Sequence, residues 1–184
     1  MTVATQLQNE GLREWMGLTT ASTEEVTKNC LSAAITRCEL YTGLTLTRDT
    51  SDRTESFEGD GGTILYPEIQ PLYTVTSLTI ADQTIALSSD WKNSGYWIDG
   101  NAIKLRGYSF NSWVVLVYKG GYLTTSIPKD LMQSIYEYAA GLYDMQNHIG
   151  VKSKTLASDN VTFKDSMLSD TVKEIWSAYR LVRL

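Results

Sequence analysis

The chain reads as an α+β protein: a small helical bundle, with helices near 22–42, 128–148 and 169–184, into which an antiparallel β region of about 44–120 is inserted. Three observations predict this. Apolar residues recur at helical spacing before residue 43 and again after residue 128. Between them lie short runs rich in Val, Ile, Thr and aromatic residues, punctuated by Gly and Asp. With 184 residues, 42% of them hydrophobic and 20% charged, the chain is long enough to bury one ordinary core. A single domain over 1–184 is expected, with a helix and β core over 22–149 and a C-terminal arm and helix over 150–184.

Each element has its own signal. Residues 1–20 are weakly patterned; Leu7, Leu12, Trp15, Met16 and Leu18 suit a short helix or a docking arm. The first clear helix opens at Ser22, with Glu25 three residues on in the capping-box arrangement. Val26, Cys30, Ala34, Cys38 and Tyr41, flanked by Leu31 and Ile35, give it one apolar face, and Gly43 is the natural stop. Glu55–Glu58 and Thr63–Tyr66 flank Gly59-Asp60-Gly61-Gly62, which reads as a hairpin loop. Leu72–Ile80 is a strand followed by the turn residues Ala81-Asp82-Gln83. Tyr96–Ile98 and Ala102–Leu105 surround Asp99-Gly100-Asn101, a second hairpin. Trp113–Tyr118 is apolar on both faces, the mark of a central strand.

Pro128 then opens the strongest helix, since a proline in the first turn gives up an N–H that would be unpaired anyway. Leu131, Ile135, Tyr138, Leu142, Met145 and Ile149 form its seam, and Gly141 marks either close approach of another backbone or a tolerated surface position. Residues 150–168 are polar and read as a loop or arm with a short strand at Val161–Phe163. A last helix begins near Ser169–Thr171, with Thr171 and Glu174 as a second capping box. Val172, Ile175, Trp176, Tyr179 and Val182 make its apolar stripe, while Lys173, Arg180 and Arg183 make its end basic. Such a stripe must bury itself, either on a partner or on the Pro128 helix.

Chemistry is sparse. A lone His148 near a helix end removes most catalytic triads and His-based metal sites, and is read as structural. Cys30 and Cys38 lie on one helix, too far apart to bridge and without Cys-x-x-Cys spacing, so they read as packed thiols in a reducing compartment. Glu58-Gly59-Asp60-Gly61-Gly62 lacks the Gly-Lys-Ser/Thr ending of a phosphate loop, and the nearby carboxylates do not follow a calcium-loop order. No catalytic, cofactor or metal residue is expected. A net charge of −5 argues against binding that works by neutralising phosphates. No apolar run approaches the ~20 residues of a bilayer span, and no secretory signal is read, so the Asn160 sequon is expected to be idle.

Eleven Tyr and five Trp are many for this length and suit wide contact surfaces. Trp91, Tyr96, Trp97, Tyr108, Phe110 and Trp113 admit a ligand-binding reading, such as stacking on sugar rings; aromatic packing across strands is the simpler account.

Three blocks resemble one family. The first is Cys38-Glu39-Leu40-Tyr41-Thr42-Gly43 with Glu55-Ser56-Phe57-Glu58-Gly59-Asp60-Gly61; the second is Pro71 followed by Val75–Ile80. The third runs from Val115 through Gly120-Gly121-Tyr122 to Ile127-Pro128-Lys129-Asp130-Leu131 and the Tyr138–Tyr143 helix. Their order resembles the head–tail connector (adaptor, or head-completion) proteins of tailed bacteriophages. The resemblance implies a structural virion protein made in the host cytoplasm, placed in the neck, and without enzymatic activity. It implies a ring of about twelve copies between the portal protein and a stopper or tail-completion protein, with DNA passing through unbound. On that reading Val172, Lys173, Ile175, Trp176, Tyr179, Arg180, Val182 and Arg183 are expected to dock on the portal. Asp60, Trp91, Tyr96, Trp97, Tyr108 and Phe110 are expected to serve self-association. A β-rich carbohydrate- or ligand-binding module is the alternative, and glycan binding by the isolated protein would favour it.

Overall fold

The computed structural model describes residues 9–18, 24–123, 126–146 and 168–181, together with the backbone of 153–156 and 159–162. Leu7, Ser22, His148, Ile149, Phe163, Val182 and Arg183, named above, lie outside these residues. The fold is α+β, as the change of periodicity predicts. It divides into two compact units, one from Met1–Gly43 with Thr124–Leu184 and one from Leu44–Leu123.

The first unit is helical. Helix α1 (Asn9–Trp15) buries Leu12 completely, so this stretch is a core element and not a free arm. Helix α2 (Glu24–Thr42) buries Cys30, Leu31, Ala34, Ile35 and Cys38, the face its sequence period predicts. Gly43 closes it at φ 76, a left-handed conformation that glycine adopts without steric cost. Helix α3 (Lys129–Met145) has Pro128 as its N-cap and packs on α2. Its buried positions are Leu131, Ser134, Ile135, Tyr136 and Ala139, so the seam is turned slightly from the one expected and includes a serine and Tyr136. Gly141 meets nothing within 4 Å, which removes the close-backbone reading of that glycine.

Residues after α3 differ from the expected loop. Strands β8 (Ser153–Leu156) and β9 (Asp159–Thr162) pair antiparallel, Leu156 opposite Asp159, as a tight hairpin. The strand expected at Val161–Phe163 overlaps β9, with its Phe163 outside the described residues; β8 is an addition, since Ser153–Leu156 lacks an apolar alternation. Helix α4 (Asp170–Ala178) is shorter than expected, and Ser169, not Thr171, caps it by accepting the Val172 N–H.

The second unit is a two-sheet β structure. Strands β1 (Arg53–Glu58), β7 (Trp113–Gly120), β3 (Leu72–Ile80) and β4 (Gln83–Ile85) form one sheet in that order. Strands β2 (Ile64–Leu65), β6 (Ala102–Arg106) and β5 (Gly95–Asp99) form the other. β1 pairs with β7 and β2 with β6, so Gly59–Gly62 is a link between sheets and not the hairpin loop expected from its glycines. The Asp99–Ala102 hairpin and the central place of β7 are as expected. Leu78, Ile80, Val114, Leu116 and Tyr118 from one sheet share a buried cluster with Tyr96, Ile103 and Leu105 from the other.

The Gly120-Gly121 break has a steric cause. Gly121 sits at φ 90 and donates its N–H to the Pro71 carbonyl at 2.8 Å, and a side chain there would run into the Thr47 backbone.

Candidate protein interface

Buried polar chemistry in the β unit centres on Tyr118. Its hydroxyl donates to Glu55 Oε1 and accepts the Ile69 N–H at 3.0 Å, while Glu55 also accepts the Glu68 N–H at 3.1 Å. Burial first, then the bond to Glu55, holds this phenol well above the ordinary tyrosine pKa. The group staples residues 68–69 to the sheet, with Tyr118 fully buried and Glu55 half-buried. Burial likewise pushes the Cys38 thiol up to about 12 and raises Cys30, so both are poor nucleophiles. Among the described residues no group of three or more His, Cys, Asp or Glu could hold a metal ion, and no helix is long and apolar enough to cross a membrane. A cleft of about 420 Å3 lies between the β3–β4 turn and the 107–111 loop, with Tyr108 its one aromatic wall.

The exposed surface of the β unit is more distinctive. In the three-stranded sheet Ile103 and Leu105 enter the core, so Lys104 and Arg106 between and after them face outward. Ile64, Lys104 and Trp97 stand in one cross-strand row. Arg106 reaches the 88–94 loop, donating to the Trp91 carbonyl at 3.0 Å with its guanidinium 5.6 Å from the Trp91 ring, while Lys92 Nζ lies 5.7 Å from the same ring. Trp91 nonetheless remains 58% exposed.

On the four-stranded sheet the outward residues of β7 are Trp113, Val115 and Val117, alternating with core Val114, Leu116 and Tyr118. Ser56 and Thr79 flank Val115, and Thr54 and Ser77 flank Val117, so the middle of this face carries no charge. Its end does. Glu58 lies directly opposite Trp113, and the Ala81 N–H donates to the Trp113 carbonyl at 3.0 Å, which brings Asp82 alongside. Trp113 is 56% exposed.

The C-terminal helix is engaged within its own unit. Trp176 is fully buried, its indole N–H donating to Ser134 Oγ at 2.9 Å, between the rings of Tyr41 and Tyr138 at 5.9 and 5.4 Å. Tyr179 donates to the Asp130 carboxylate at 2.9 Å, Ser169 to Glu137 at 2.7 Å, and the Leu181 N–H to the Thr42 carbonyl at 2.7 Å. The stripe expected to dock elsewhere is thus largely spent at home: Val172 and Trp176 are buried and Ile175 is half-buried. Lys173 and Arg180 stay exposed.

No family model matches the sequence, and neither does any curated protein. Solved structures do match. One is a chain from the neck of an empty GTA particle computed with C6 symmetry, with a TM-score of 0.66 and 19% identity, covering 100% of this chain and 94% of the other. A chain from the neck of a native GTA particle computed with C12 symmetry gives 0.59 at 19% identity, with the same coverage. A third, from the virion of a native gene transfer agent particle, gives 0.62 at 18% identity over 98% of this chain and 92% of that one. The chain shares its fold with components of the neck of gene transfer agent particles. That shared fold is in line with the resemblance read from the sequence.

Of the residues expected to serve self-association, the structure keeps some at the surface and removes others. Tyr96 and Phe110 are 3% and 1% exposed members of the β core, so neither can contact a neighbour or stack on a sugar. Trp97 and Tyr108 are half-buried, while Trp91 and Asp60 are exposed. Their alternation in sequence does not separate inward from outward aromatics, because Trp91 and Phe110 both lie in loops without a period. The charged residues around Trp91 and Trp113 were also missed. Arg106 is distant in sequence from Trp91, and Glu58 from Trp113; the fold alone brings each beside its tryptophan.

Proposed function

We propose that this protein is a structural component of a tailed-phage-like virion neck, where it forms a ring adaptor between the portal vertex and the stopper or tail. The observation that carries the proposal is the likeness to neck chains from end to end, 100% of this chain against 94% of the neighbour, with the β region included. Those particles were computed with C6 and C12 symmetry, which favours a closed ring of copies here too. The described core chemistry supports a scaffold, since its buried phenol and thiols are held protonated and away from solvent.

In such a ring the portal would meet exposed Lys173 on α4 and Arg180 just after it, followed in sequence by Val182 and Arg183. Trp176 would act indirectly, by holding that helix in place. DNA would pass the ring without specific contact. Co-expression with the portal protein encoded in the same genome, followed by cryo-electron microscopy of the purified complex, tests the proposal. A ring coaxial with the portal is expected; single copies scattered over the particle surface would overturn it.

A further inference from the structure

The β unit carries two exposed tryptophans in opposite electrostatic settings. Trp91 lies beside Lys92 and Arg106, with the Asp90 carboxylate turned onto the Lys92 and Asn93 N–H groups, and Trp113 lies opposite Glu58, with Asp82 in the turn bonded to its carbonyl through Ala81. None of Lys92, Arg106, Glu58 and Asp82 forms an ion pair among the described residues.

Their placement is specific. Arg106 ends β6 and Trp113 begins β7, and the connection between them is short and tied down: Phe110 donates to the Gly62 carbonyl at 2.8 Å and Gly59 to the Ser112 carbonyl at 2.9 Å. The two patches therefore lie at the same end of the β unit. Arg106 follows core Leu105 on the outer side of one sheet, and Trp113 precedes core Val114 on the outer side of the other. With the shared core between the sheets, the patches point in opposite directions.

We propose that neighbouring copies in the ring meet head to tail through these patches, Trp91, Lys92 and Arg106 of one copy against Trp113, Glu58 and Asp82 of the next. Cyclic symmetry about one axis requires two different, mutually complementary surfaces at the same level on opposite sides of the subunit. That is the arrangement found here. A second copy is the occupant that uses both patches at once; an unrelated partner would need only one of them. The tryptophans supply apolar anchors of the kind that dominate interface energies, and the rim charges set orientation and exclude the like-to-like contact.

The inference rests on the ring reading above, and its test separates the two. The full chain is assembled with the co-expressed portal as wild type, as K92E/R106E and as E58K/D82K, with rings counted by electron microscopy. Each reversed variant places like charges across the contact, and ring occupancy is expected to need about 100-fold more protein. Mixed together, the two variants restore opposite charges at every contact if they alternate, and occupancy should return to within about tenfold of wild type. Circular dichroism checks that the exposed substitutions leave the fold unchanged. If wild type makes no ring, the ring reading falls and this contact with it. If wild type makes rings and the variants do so equally well, or the mixture stays unassembled, the contact alone is wrong.

Discussion

Replacing Trp176 by alanine tests whether the C-terminal helix belongs to the helical core. A tryptophan side chain buries about 200 Å2, worth about 5 kcal/mol at ~25 cal/mol per Å2. Measured losses for such truncations run about 3–5 kcal/mol, because the site collapses only in part. The indole N–H bond to Ser134 Oγ at 2.9 Å adds about 1 kcal/mol, since the serine then lacks a donor. W176A should therefore cost about 4–5 kcal/mol, a large share of the stability of an ordinary domain. W176F keeps most of the ring area and loses mainly the hydrogen bond. Ser134 still donates to the Leu131 carbonyl at 2.7 Å, so about 1–2 kcal/mol is expected. The assay is urea denaturation followed by far-UV circular dichroism, with a chain truncated after Met167 as the limiting case. A W176A loss below about 1 kcal/mol, or a truncated chain with native helix content and unchanged midpoint, would refute the reasoning and return the helix to the role of a free docking arm.

Two further outcomes follow from the buried polar groups. Tyr118→Phe leaves the Ile69 N–H without its 3.0 Å acceptor and Glu55 without its phenol donor, so a loss of about 1–3 kcal/mol is expected in urea; an unchanged midpoint would show that water replaces the hydroxyl without cost. Cys38 titrates near 12 in the folded chain against 9.0 in an unperturbed thiol, because burial disfavours the thiolate. Its folded pKa is raised, so its contribution is complete below pH 9 and is lost as pH rises toward 12, by up to about 1.4 kcal/mol per pH unit. C38A should flatten the alkaline fall in stability between pH 9 and 11, and parallel wild-type and C38A curves would contradict this assignment.

The helices were legible in the sequence because each buries one stripe at a fixed period. Cys30, Ala34 and Cys38 repeat at four residues and are all buried, and Gly43 ends the run with a positive φ. The strands β3, β5, β6 and β7 were legible from their β-branched runs, and so was the β5–β6 hairpin; the partners of β3 and β7 were not. Local glycines made residues 55–66 look like a hairpin, whereas β1 joins β7 and β2 joins β6, pairings set by a core that forms only when both sheets are present. The same limit governs the surface. Nothing local distinguishes Tyr96, 3% exposed, from Trp91, 58% exposed; the difference is that one alternates toward Ile103 and Leu105 while the other sits on a loop beside Arg106. Of the β8–β9 hairpin only a strand near Val161 was legible, since the sequence of β8, Ser-Lys-Thr-Leu, carries no apolar alternation.

The tryptophans divide between core and surface: Trp176 is buried, Trp97 half-buried, and Trp15, Trp91 and Trp113 are exposed. In the helical unit Trp176 is consumed internally, held by Ser134 and two tyrosine rings, and changes there should lower stability before they touch assembly. In the β unit a separate buried cluster from Leu72 to Tyr118 supplies the cohesion, so Trp91 and Trp113 contribute little to folding and remain at the surface. Large exposed aromatics carry a solubility risk that a monomer gains nothing by keeping. Their retention on opposite faces is accounted for if each is covered in the assembled ring. Folding and assembly are then separable by mutation, the first through the cores, the second through four surface charges.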